Sequence, residues 1–215
     1  MQSEHLEEEN LEEEEYPVVD NELAEPTLKW LLLSEYPDNE RSLSDWLAQA
    51  HSLDDYLLVL VQVCQFFRYV HQHGWCFAHF LPEFIQLSKP IRFYDLTGAY
   101  AVEEPINFGL QGHYCAPELS YGKVVGHESL SSYAIGALLY QMRYQEYVPL
   151  HQSEPLDLKP IPRIYQLLKT CLSPIPEERF PLSQLLDLLI DVRRQLKADE
   201  ISWEVAQRTS VGQSL

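Results

Sequence analysis

One segment constrains the fold more than any other. From Leu53 to about His73 the chain carries Leu53, Leu57, Leu60, Cys64, Phe67 and Val70 three or four residues apart. That is the spacing of a helix with one buried face. Leu58, Val59, Val61 and Val63 widen the stripe until little polar surface remains, so this helix must run through the middle of a core rather than lie on its surface. Ser52 is placed to cap its start, and Gly74 to end it as the C′ glycine. A chain built round such a rod is mainly α.

The remaining elements are shorter. Ser42 is expected to cap a helix to about Gln49, with Asp45 in its first turn, where a carboxylate meets the positive end of the helix dipole. Ile85 to Leu87 and Ile91 to Tyr94 read as two strands about a Ser-Lys-Pro turn. Residues from Asp95 to Gly126 show no period and read as a long ordered loop. Ser131 to Met142 is apolar nearly all round, with Gly136 inside it, and predicts a second buried helix. A helix at about Arg163 to Leu172, a turn through Ser173 to Arg179 and an amphipathic helix from Pro181 to about Leu196 complete the pattern. Upstream, Tyr16 to Asp20 and Leu28 to Ser34 read as a strand pair, followed by a turn at Pro37 to Arg41.

Charge divides the chain unevenly. It has 215 residues and a formal net charge of -18. Eleven of its 33 acidic side chains precede residue 26, with no Lys or Arg among them. Residues 1–15 therefore read as a solvated acidic tail, because like charges at that density repel and bury nothing. A mean field of this sign argues against nucleic acid and against an anionic membrane surface. No apolar run reaches the roughly 20 residues that span a bilayer, and the acidic start is the opposite of a signal or transit peptide. Cys64, Cys76, Cys115 and Cys171 have no CxxC spacing and sit in apolar contexts, which predicts buried free thiols in a reducing, cytoplasmic setting. His71, His73 and His79 have no cysteine or carboxylate at ligand spacing, so a zinc site is not expected.

Several short motifs, in order, resemble those of the protein kinase family. Tyr69 to Leu87 (YVHQHGWCFAHFLPEFIQL) is similar without a gap to Y-L-H-x-x-G-I-x-H-R-D-L-K-P-x-N-I-L-L. Asp95-Leu-Thr-Gly-Ala99 resembles D-F-G-x-A, and Gly109 to Glu118 resembles the stretch ending A-P-E. Ser131 to Gly136 resembles D-x-W-S-L-G, and Cys171 to Arg179 resembles C-L-x-x-D-P-x-x-R. The motifs lie within residues 16–196, and five in the right order carry the resemblance where one would not. It implies a kinase-like C-terminal lobe over residues 37–198 with a few short strands, a truncated small lobe over residues 16–36, and a polar tail or linker at residues 199–215.

The same resemblance implies a loss of chemistry. Phosphoryl transfer needs a base, metal-holding groups, a phosphate-bridging lysine and a glycine-rich cover. Here His79 occupies the catalytic aspartate position, Leu81 that of the lysine two residues on, and Phe84 that of the metal-binding asparagine. Asp95 alone remains as a residual metal position, and one carboxylate does not organise Mg²⁺ with a triphosphate. The first glycine is Gly74, and the only lysine before it is Lys29, so neither the glycine loop nor the ATP lysine has sequence to occupy. An imidazole at His79 can accept a proton near neutrality, but it lacks a nucleotide platform. Structural positions persist: Phe77 and Leu96 keep apolar bulk, and Glu118 and Arg179 match a buried ion pair. Ser131 stands where the family has an anchoring aspartate, which predicts that the catalytic loop backbone loses a strong acceptor.

These substitutions imply a regulatory or protein-binding module without cofactor, a pseudokinase. Its partner would be a protein, with a kinase or a phosphatase domain as candidates. Self-association, or docking onto another domain, is expected through apolar surface at Trp30 to Leu33 and Phe93. Two alternatives stand. One is a divergent or truncated serine/threonine kinase using ATP and Mg²⁺. The other is the regulatory N-terminal region of a phosphatase, since Ile201 to Gln213 resembles the opening strand of the magnesium-dependent serine/threonine phosphatases.

Overall fold

The computed structural model describes residues 41–88, 91–149 and 162–198. The chain divides into two units, Met1–Ser34 and Glu35–Leu215, and every described residue belongs to the second. The acidic tail, the strand pair at 16–36 with Trp30 to Leu33, and the tail at 199–215 lie outside the described residues.

The polypeptide enters through α1 (Leu43–Leu47), whose N-cap Ser42 accepts a hydrogen bond from the Asp45 amide at 3.1 Å. Trp46, His51 and Tyr56 form a clip at the corner that follows. Trp46 and His51 stack at 3.8 Å, and the Tyr56 ring packs edge-on to both. Next comes α2 (Leu53–Gln72), capped by Ser52. Its buried face includes Leu53, Leu57, Leu60, Cys64 and Phe67, and Tyr56, Val59, Val61 and Val63 are buried beside them. Burial on that width follows from the continuous apolar run, and each fully buried large aliphatic contributes about 1.5–3 kcal/mol. Gly74 takes φ +84 after the C-cap His73, a left-handed conformation that favours glycine.

Short antiparallel ribbons follow. β1 (Trp75–Phe77) pairs with β4 (Ala99–Ala101), β2 (Ile85–Gln86) with β3 (Arg92–Phe93), and β5 (Pro105–Ile106) with β6 (Val124–Val125). The expected loop from Asp95 to Gly126 thus carries β4, β5, β6 and a 3₁₀ turn at Pro117–Tyr121. Its strands are two or three residues long and are fixed by distant partners, so no local period announces them.

The second rod, α3 (Glu128–Tyr144), begins three residues before its apolar run, because the His127 ring accepts from the Ser129 amide and caps it. It ends at Gln145 with φ +57. α4 (Pro162–Cys171) crosses it closely: a Cβ at Gly136 would stand 2.5 Å from the Cys171 Cβ. α5 (Leu182–Ala198) packs along α2. Arg193 of α5 donates to both carboxylate oxygens of Asp54 at 2.8 and 3.1 Å. Among the described residues, no helix is long and apolar enough to cross a membrane.

Candidate functional site

Register places the site. Phe77 pairs with Ala99 across β1 and β4, so the chain leaving β1 and the chain entering β4 emerge side by side. The Ala78 amide donates to the Gly98 carbonyl at 2.9 Å. A Cβ on Gly98 would come within 1.9 Å of the His79 carbonyl oxygen, so this approach admits only glycine. The loop bearing His79 and the turn bearing Asp95 are in this way held against each other.

His79 is half-buried, and its Nδ1 is sealed without a hydrogen-bond partner among the described residues. Burial pushes its pKa below the ordinary imidazole value, and the nearby Asp95 charge opposes that shift. Asp95 turns one carboxylate oxygen to its own backbone, where Oδ1 accepts from the Thr97 amide at 2.8 Å. Leu81 precedes and Phe84 ends the 3₁₀ turn Pro82–Phe84, and they stand 41% and 39% exposed. An imidazole sealed at Nδ1, a turn-capping carboxylate and two bare hydrocarbon side chains make a poor frame for a hydroxyl, a metal and a triphosphate. No group of three or more His, Cys, Asp or Glu side chains among the described residues is arranged to hold a metal ion.

Behind that surface the loop is anchored by aromatic rings. Phe67 stacks on Phe77 at 4.9 Å, Phe66 on Phe93 at 3.9 Å and Phe80 on Tyr114 at 4.6 Å. Phe77 is fully buried, Leu96 is half-buried against the core, and Phe93 is half-buried rather than open. The Tyr114 hydroxyl donates to Gln141 Oε1 of α3. Nothing in the sequence pairs Phe80 with Tyr114; their apolar character alone hints at burial.

Ser131 requires a correction. Its hydroxyl accepts from the Phe77 amide at 3.0 Å and donates to the Phe77 carbonyl at 3.1 Å. The loop backbone keeps its anchor in neutral form, because a hydroxyl is donor and acceptor at once.

Glu118 and Arg179 meet in a two-pronged ion pair, with N–O distances of 2.6 and 2.8 Å. The Arg179 side chain is fully buried and that of Glu118 is partly buried, 18% exposed. Arg179 also donates to the carbonyls of Ser173 and Ser129 and lies over the Tyr133 ring. This pair ties the 3₁₀ turn after Ala116 to the turn before α5.

With that geometry in view, the fold is kinase-like: helix-rich, with a few short antiparallel strands. It is similar to the kinase domain of a Toxoplasma gondii specific rhoptry antigen, with a TM-score of 0.55 and 17% sequence identity over 67% of this chain. The match covers 47% of that domain, so the chain spans about half its length. At this identity the likeness defines the fold and leaves the chemistry to the residues. No family model and no curated protein matches the sequence. The phosphatase resemblance rests on residues outside the described set and has no support from these comparisons.

Proposed function

We propose that the chain is a catalytically degenerate kinase-fold domain that serves signalling as a regulatory, protein-binding module. The observation that carries this reading is the surface of the 77–84 loop. Where the family's chemistry would require Asp, Lys and Asn, His79 is sealed at Nδ1 and Leu81 and Phe84 present hydrocarbon. The packing behind the loop is ordered: the Phe77 stack and the Ser131 anchor hold it in shape, and the Glu118–Arg179 pair fixes the segment after Ala116. A scaffold kept in order after its polar chemistry is replaced supports binding rather than turnover. The partner is a protein, the setting cytoplasmic, and neither ATP nor Mg²⁺ is required.

A thermal titration with Mg²⁺-ATP tests the reading. The expected result is an unchanged melting temperature. A nucleotide at a hundredfold excess over its Kd would instead add about 2.7 kcal/mol, and a shift of that size would favour a divergent kinase.

A further inference from the structure

We draw no further inference here: the strongest candidate, the small cavity between residues 111–120 and the chain leaving α3, lined by His113, Cys115, Tyr133 and Val148 among others, offers a lone thiol, and no second feature among the described residues points to a ligand for it.

Discussion

Ser131, at the start of the buried turn of α3, holds both backbone polar groups of Phe77, at 3.0 and 3.1 Å. Both residues are buried, so no water is at hand to replace the hydroxyl. Ser131→Ala would leave an amide and a carbonyl unpaired, at a cost of about 1–3 kcal/mol for each orphaned group. Chemical denaturation should show that loss. A cost below about 0.5 kcal/mol would place Ser131 among ordinary surface positions.

The Glu118–Arg179 pair carries a larger stake. Glu118→Ala would strand a fully buried guanidinium that keeps, among the described residues, two carbonyls and the Tyr133 ring. Breaking one side of such a pair typically costs about 3–5 kcal/mol. Urea denaturation should show it, and Glu118→Gln, which retains an acceptor, should fall between the two.

Acid should loosen the site through His79. Burial holds its pKa below the ordinary 6.5, so the unfolded chain takes up the proton first. Stability from the neutral ring is complete above about pH 6.5 and declines as pH falls from there toward the lowered value in the folded protein. His79→Phe should flatten that part of the stability profile. Thermal melts between pH 7.5 and pH 5 would reveal it, and an unchanged slope in the variant would assign the acid sensitivity elsewhere.

The cysteines should be silent in the native protein. Burial pushes the thiols of Cys64 and Cys171 up to about 12 and those of Cys76 and Cys115 to about 11. Thiolate is the reacting species, so a thiol reagent at pH 8 should label the folded chain slowly. Half-buried Cys115 should go first and the other three only on unfolding. Rapid labelling of Cys64 or Cys171 under native conditions would contradict the packing of α2 and α4.

The helices were legible because burial writes a period into the chain: Leu53 to Phe67 names the face of α2, and Ser52 and Gly74 mark its ends. Strands of two or three residues leave no such trace, and β4, β5 and β6 are set by partners far along the chain. The site was half legible. His79, Leu81, Phe84 and Asp95 stand out by motif, but the sealing of Nδ1 depends on Gly98 approaching the His79 carbonyl, which no spacing reveals. At Ser131 the sequence shows a missing carboxylate; that the hydroxyl serves two backbone groups is a matter of orientation.

Transfer of label from γ-labelled ATP, to the chain itself and to a mixture of test proteins with Mg²⁺ present, bears most directly on the loss of chemistry. With His79, Leu81 and Phe84 at the reacting positions, no label above a boiled control is expected. Label that appears with the wild-type chain and disappears with Asp95→Ala would show a working phosphotransfer site and contradict it.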